Sequence, residues 1–357
     1  MKGRYYTMNI LKIAIIFGGK SPEYHISLQS AYAIIKALDE NRYEKILIGI
    51  TKDGGWFRYY GDINKIKDDT WYMNSLECVP VSINPDPKFH GIIELKTDGY
   101  RYTSLDAAFP VLHGKNGEDG TVQGLIELAG IPLIGCGTLS SALCMDKKRA
   151  HRLVSQVGIK TPKSIVLSEA TLGQKLTKLT KKLSYPLFVK PVKAGSSFGI
   201  TKVIADEQLE PAVNLAFQYD NEIIIEEYIE GFEVGCAILG NHDLIIGEVD
   251  EIELSNGFFD YTEKYTLKSS KIHMPARIDT DIANRIKKTA ALIYRTLGCK
   301  GFARVDMFLT PDKKIVFNEV NTIPGFTAHS RYPNMMKGIG LSFSEILDKL
   351  IELGTKA

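Results

Sequence analysis

Arg304-Val305-Asp306, then Asn318-Glu319-Val320-Asn321-Thr322-Ile323-Pro324-Gly325, then His329-Ser330-Arg331, is the stretch that decides how this chain is read. Between the first two pieces, Thr310-Pro311-Asp312-Lys313 has the residue types of a chain reversal, so the spacing predicts a β-hairpin. Alternation with period two then places Arg304 and Asp306 on one face of its first strand, and Glu319 and Asn321 on one face of its second. Two carboxylates and an amide facing one cleft make a hard-oxygen site suited to Mg²⁺, which keeps few protein ligands and takes the rest from phosphate and water. Arg304 beside them suits an oxyanion or a phosphate. The same residues also suit a surface hairpin with solvated charges, and the rest of the chain has to decide between the two.

A chain of 357 residues predicts two or three domains. Its net charge of +2, from 44 basic and 42 acidic residues, argues against a dedicated nucleic-acid binder. The five cysteines, Cys78, Cys136, Cys144, Cys236 and Cys299, are odd in number and lack C-x-x-C spacing. They predict reduced, mostly buried thiols and a cytoplasmic protein. The apolar run 10–17 is interrupted by Lys12 and ended by Gly18-Gly19, so it reads as a buried first strand and not as a signal peptide. No segment is long and apolar enough to span a membrane, and residues 1–9 are expected to be a disordered extension.

Strand 10–17, the glycine turn and an apolar-striped helix from Ile26 to Leu38 form an α/β opening, whose ligands bind at the carboxyl ends of the strands. Glu23 just after the turn is either a helix-dipole acid or a carboxylate aimed at a substrate ammonium. Residues 61–90 are polar and irregular and predict a peripheral insertion. A buried strand to Leu112 ends in His113-Gly-Lys-Asn-Gly-Glu118-Asp119-Gly120, a glycine-rich polar loop of the kind that builds sites. A strand is expected at 131–135, then a helix capped by Asp146 with Lys147 in its first turn. A cation there opposes the helix dipole, which suggests that Lys147 is placed for another purpose.

Farther on, strand 185–191 closes on Lys190, and the loop Lys193-Ala-Gly-Ser196-Ser197-Phe-Gly199 offers amides and hydroxyls to phosphate and can close as a lid. Strand 222–229 turns acidic at its end, where Glu226 and Glu227 sit. Such a strand can line an adenine pocket. Strands 232–239 and 244–252, a loop through Phe258, Lys264 and Tyr265, and helices 279–297 and 342–353 complete the pattern.

Two lysines on separate elements, a glycine-serine lid, an acidic strand end and a carboxylate-carboxylate-amide hairpin together describe a site for ATP and Mg²⁺ without P-loop, kinase or dinucleotide-fold spacing. At this point the chain resembles the ATP-grasp superfamily. From Ile13 to about Leu350 it is similar to the D-alanine–D-alanine ligase family, through His113–Gly120, Arg304-Val-Asp306 and Glu319–Gly325. Within that family it resembles the VanG-type D-alanine–D-serine ligases of vancomycin resistance. The resemblance implies an ATP-grasp fold of mixed α/β and α+β character, opened by a Rossmann-like parallel-sheet domain. Residues 1–136 would form this substrate domain, 137–225 a central subdomain with the lid, and 226–357 a C-terminal subdomain with the Mg²⁺ site.

The resemblance also assigns roles. Lys147 and Lys190 match phosphate lysines and Ser197 lies in the lid. Glu226, the backbone of Glu227, Tyr228 and Ile229, and Glu233 match adenine and ribose contacts, and Phe258 and Asn318 join the nucleotide set. Asp306, Glu319 and Asn321 match a site for two Mg²⁺, where Mn²⁺ can substitute. Glu23 matches the acid that binds the ammonium of the first D-alanine, with Ser196 and Tyr265 linked to it. Arg304 and the Gly325 amide match the oxyanion site, His113 and Lys264 contact substrate, and Ser330 holds the second substrate's carboxylate. A D-alanyl phosphate would form and be attacked by the second amino acid, in a homodimeric enzyme that makes cell-wall precursors.

Two departures bear on that second substrate. The Lys264-Tyr265 pair is absent from the D-lactate ligases of the family, so an amine nucleophile is expected. Arg331 stands where the ordinary enzymes carry an apolar residue. It is either a reader of a substrate hydroxyl, which points to D-serine, or a solvated charge at the rim. A catalytically silent relative on the same fold would be expected to lack a metal ligand or Arg304, and this chain has them all.

Overall fold

The computed structural model describes residues 10–168, 176–195, 198–254 and 270–356. Strand β1 (Leu11–Gly18) is buried from Ile13 onward and pairs in parallel with β2 (Tyr43–Ile50) and β7 (Ala107–Val111). Strands β3 (Trp56–Tyr59), β4 (Cys78–Ile83), β5 (Gly91–Lys96) and β6 (Gly99–Ser104) extend the sheet antiparallel, in the order β6-β5-β4-β3-β2-β1-β7. Helix α1 (Tyr24–Ala37) lies on β1, burying Leu28, Ala31, Ile34 and Ile35 at helical spacing.

Residues 61–90 are not peripheral. They hold the short helix α2 (Asn64–Lys67) and β4, and between these Trp71 is wholly buried. Its ring meets Phe17 at 5.2 Å and Tyr59 at 5.9 Å edge-on, and its indole N–H donates to Tyr24 Oη at 3.0 Å. This side chain helps to anchor a polar segment, beside buried Ile66, Val81 and Ile83, because a buried indole with a partner brings large apolar contact without an orphaned donor. The expected strand at 131–135 reduces to one parallel bridge, Ala108 to Leu133.

Helices α3 (Thr121–Leu128), α4 (Thr138–Met145) and α5 (Lys147–Gln156) lead onward, and the Asp146 side chain caps α5 by accepting from the Arg149 N–H. The second sheet is antiparallel and comprises β8 (Ser164–Ser168), β9 (Leu187–Pro191), β10 (Thr201–Val203) and β11 (Glu222–Glu227), in the order β10-β9-β11-β8. Helices α6 (Leu176–Thr180) and α7 (Leu209–Phe217) accompany it. The boundary expected at 225 falls inside β11, which pairs only within this sheet.

The third sheet is antiparallel too, ordered β14-β13-β12-β15-β16, from β12 (Phe232–Leu239), β13 (Ile245–Leu254), β14 (Ser270–His273), β15 (Phe302–Leu309) and β16 (Ile315–Asn321). Helix α8 (Thr280–Thr296) covers one face and α9 (Arg331–Gly338) packs on β12 and β13. Helix α9 was not expected. Helix α10 (Phe343–Thr355) opens with a Ser342–Glu345 capping box and buries Ile346, Leu347, Leu350 and Ile351, each contributing about 1.5–3 kcal/mol relative to exposure.

One core runs from the first sheet into the third: Phe109, Phe302, Phe326 and Tyr332 pack with centroids 5.5–6.4 Å apart, edge to face except for the tilted pair Phe326 and Tyr332. That junction packs Phe326, in the loop before α9, against Phe109 of β7, and the Phe326 N–H donates to Ser30 Oγ of α1. Among the described residues no helix is long and apolar enough to cross a membrane. All five cysteines are free and four are buried.

Candidate active site

The hairpin forms with the expected faces. Arg304 lies opposite Asn321 and Asp306 opposite Glu319, with a bulge beyond that pair where Met307 meets Phe317. The bulge inserts Asn318 into β16 without a partner across the ladder. Its carbonyl instead accepts from His151 Nε2 of α5 at 2.8 Å.

A cavity of about 370 Å³ opens between the hairpin, the loops after β1 and β7, and the start of α9. Glu23, His113, Lys147, Glu233, Arg304, Glu319, Asn321, Gly325, Ser330 and Arg331 all line it. These residues come from well-separated parts of the chain and meet in one place. Asp306, Lys190, Glu226, Glu227, Tyr228, Ile229 and Asn318 are not in its lining. Ser196, Ser197, Phe258, Lys264 and Tyr265 lie outside the described residues.

On the first-domain side, Glu23 precedes α1 without capping it through its side chain and is 8 % exposed. Its Oε2 lies where Cβ atoms at Gly114 and Gly195 would come within 2.4 and 2.9 Å, so glycines from two separate loops make room for this carboxylate. Of its two sequence readings, this geometry favours the one aimed into the cleft. His113 is buried beside it, and burial lowers the imidazole pKa although Glu23 pulls the other way, so the ring is held neutral. Glu118, which sequence reading left in its motif without a role, accepts from the Gly114 N–H at 2.9 Å and the Ile323 N–H at 3.0 Å. It thereby ties the loop after β7 to the loop after β16. Burial, with Glu23 adding, raises this carboxyl to about 8 against those two amides.

On the hairpin side, Arg304 holds Asp306 bidentately, Nε to Oδ1 at 2.8 Å and Nη2 to Oδ2 at 2.7 Å, and Asn321 Nδ2 donates to Oδ2 at 2.8 Å. Burial disfavours the Arg304 charge, yet Asp306 more than offsets it and the guanidinium pKa stands above its usual value. Lys147 Nζ donates to the Ala194 carbonyl at 2.8 Å and stands 3.8 Å from Glu319 Oε2. Among the described residues no three His, Cys, Asp or Glu side chains gather as a ready cation cage. Two carboxylates and an amide on paired strands nonetheless fit a hard divalent cation completed by phosphate and water.

Behind this wall, Lys190 Nζ pairs with Glu226 Oε2 at 2.5 Å, and His151 Nδ1 stands 3.4 Å from Glu226 Oε1. Burial pushes the Glu226 carboxyl up, but Lys190 and His151 outweigh it and hold it below the usual range. Glu226 Oε1 is fully buried and accepts no hydrogen bond among the described residues, an orphan that suits a donor such as a base's amino group. The N–H groups of Glu227 and Tyr228 donate to the carbonyls of Lys163 and Pro186, so neither is offered to a base edge.

Arg331 is not a solvated rim charge. Its side chain is 8 % exposed, with Nε and Nη2 on the two oxygens of Asp250 at 2.7 and 2.8 Å, Nη1 on Glu233 Oε1 at 2.8 Å, and Asp306 Oδ1 at 3.5 Å. Burial works against the charge, but Asp250 and Asp306 overcome it and raise its pKa well above the ordinary value. Asp250, 1 % exposed on β13, was missed in the sequence. Glu233, expected at a ribose, is shared with this arginine. Ser330 precedes α9, accepts from the Thr327 N–H at 3.0 Å, and its Oγ would stand 3.2 Å from a Cβ at Gly325.

Two family matches divide the chain between them: residues 12–136 match the D-ala D-ala ligase N-terminus and residues 153–352 the D-ala D-ala ligase C-terminus. The chain belongs to the D-alanine–D-alanine ligase family. Its members are ATP-dependent ligases of ATP-grasp fold that use a divalent metal. A crystal structure of the VanG D-Ala:D-Ser ligase from Enterococcus faecalis is 59% identical with a TM-score of 0.91, over 97% of this chain and 99% of that one. The vancomycin B-type resistance protein VanB of Enterococcus faecalis is 46% identical over 351 residues, 97% of this chain and 99% of its own length. A D-alanine–D-alanine ligase of Caldicellulosiruptor bescii is 44% identical over 351 residues, 97% of this chain and 95% of its own. Ligases of this family with different acceptors are therefore all similar to this chain over nearly its full length.

Proposed function

We propose that this chain joins D-alanine to D-serine, turning ATP into ADP and phosphate through a D-alanyl phosphate, and so makes an altered cell-wall precursor. Arg331 carries the choice of acceptor. Its guanidinium is fixed in the cleft wall by Asp250 and Glu233, so a donor for a substrate hydroxyl stands ready before the substrate arrives. Glu233 beside it can accept the hydroxyl proton. A methyl group in the same place gains nothing from either charge, and a site built to bond a hydroxyl rejects the analogue lacking it by up to roughly 10⁴-fold. The 59% identity to the VanG D-Ala:D-Ser ligase supports the same acceptor.

In this proposal Glu23 holds the ammonium of the first D-alanine, and that substrate's carboxylate faces the terminal phosphate of ATP. Lys147 and Lys190 offset repulsion between the two anions, while Glu226 takes the base's amino group. Arg304 and the Gly325 amide receive the charge that develops on the acyl oxygen. Ser330, at the positive end of α9, receives the carboxylate of the second amino acid. Asp306, Glu319 and Asn321 would hold the divalent cations, two Mg²⁺ with Mn²⁺ able to substitute, which when bound neutralise charge on the outer phosphates. The lid expected from 193–199 and 258–266 would keep water from the acyl phosphate. A division into 1–136, 137–225 and 226–357 accompanies this proposal, as do a cytoplasmic location and a homodimer.

Phosphate release tests the acceptor. D-Alanine with D-serine should support faster release from ATP than D-alanine alone. Equal rates would remove D-serine and leave the ligase.

A further inference from the structure

We propose that Gly235 is a specificity-determining position of the acceptor site and acts through Arg331: the side chain it lacks is the space that the Arg331–Asp250 pair fills. The inference rests on the assignment of Arg331 to the acceptor. On β12, Val234 and Cys236 point into the core under α8, so Gly235 faces the other way, toward the cleft side with Glu233. It lies across the ladder from Asp250 on one neighbour and Asp306 on the other.

Glycine is not needed here for backbone freedom, because this position has no left-handed φ. It is needed for room. A Cβ at 235 would stand 2.3 Å from Arg331 Nη2, 2.7 Å from Asp250 Oδ1 and 2.8 Å from Met335 Cε. The thioether end of Met335 can move aside. The guanidinium is tethered: Asp250 grips it at two nitrogens and Glu233 at a third, in a pocket that leaves it 8 % exposed. Asp250 is tethered as well, because its Oδ1 also accepts from the Gly235 N–H at 3.0 Å. One methyl group at this position must therefore displace the arginine, its carboxylate partner, or both. Gly235 is a positioning residue, since it does not itself meet the substrate.

The test is a double-mutant cycle on the full-length enzyme with Gly235→Ala, Arg331→Leu and the pair. Saturating ATP is used, kcat and acceptor KM are measured for D-serine and D-alanine, and melting temperatures are recorded. Gly235→Ala should raise the D-serine acceptor KM by about 10- to 100-fold, and more than it changes kcat or the D-alanine acceptor KM. In the Arg331→Leu background the same alanine should add less than about twofold. A Gly235→Ala effect that persists in full without the arginine would overturn the proposal. If Gly235→Ala alone does not fold, the double variant should fold with the melting temperature of Arg331→Leu, because the guanidinium is gone and the Asp250 carboxylate it tethered is free to swing away from the added methyl. A double variant as damaged as the single would place the clash elsewhere and overturn it. A wild-type enzyme indifferent to D-serine would sink the acceptor assignment and the specificity role with it, whereas a lost 235–331 coupling in an enzyme that prefers D-serine would overturn this proposal alone.

Discussion

The hairpin wall of the cleft, β15 with β16, and the acceptor wall, β13 with the start of α9, both set arginine against carboxylate in a buried place. They are assembled differently. On the hairpin wall, Arg304 and Asp306 are two residues apart and Asn321 is 15 residues from Asp306, joined through a single turn. On the acceptor wall, Arg331 reaches Asp250 across 81 residues and Glu233 across 98. The first wall follows from local alternation and turn chemistry; the second exists only once the sheet has closed and α9 has docked on it. The proposed cation and oxyanion groups sit on the locally built wall, and the proposed choice of acceptor sits on the one assembled at long range.

Three substitutions put that contrast at risk. The largest effect is expected on the hairpin: Glu319→Gln should lower kcat by at least about 10²–10³-fold while leaving the melting curve close to wild type, because it removes a proposed cation ligand from the cleft surface. A fully active variant would take the metal assignment away from this wall. Next comes Arg331→Leu, which should move the ratio of D-serine to D-alanine use toward D-alanine by about 10- to 100-fold, with turnover on D-alanine retained. An unchanged ratio would mean that the guanidinium does not read the hydroxyl, and the division of labour between the walls would fall.

The smallest effect belongs to Glu118, which ties the first domain to the exit of the hairpin. Its carboxyl is raised from 4.5 to about 8, so between those values the folded protein holds a proton that the unfolded chain has lost. Folding stability from this group is complete below 4.5 and falls as pH rises toward 8. The wild-type melting temperature should therefore decline relative to Glu118→Gln over that range and then run parallel. Parallel curves throughout would place the ionisation elsewhere.

The same contrast explains what the sequence disclosed. The faces of Arg304, Asp306, Glu319 and Asn321 were legible because a period of two and a turn suffice to set them. Asp250 was not, since β13 reads Glu248-Val-Asp250-Glu251 and alternation cannot say which acid is buried. Both Asp250 and Glu251 are, on opposite faces, each with its own arginine, Arg331 and Arg277. Helix α9 was hidden because its first turn, Arg331-Tyr-Pro333, reads as the end of a loop; its stability comes from burying Tyr332, Met335 and Met336 against the sheet. Trp71 was concealed by polar neighbours, and its indole, with Ile66, Val81 and Ile83 and the pairing of β4, draws 61–90 into the first domain. His151 escaped notice because its partner is the carbonyl freed by a bulge, and a bulge depends on strand register.

The most direct measurement is the mass of the dipeptide formed when equal amounts of D-alanine and D-serine are supplied with ATP and Mg²⁺. D-Alanyl-D-serine as the main product is the predicted result. D-Alanyl-D-alanine as the main product would contradict it.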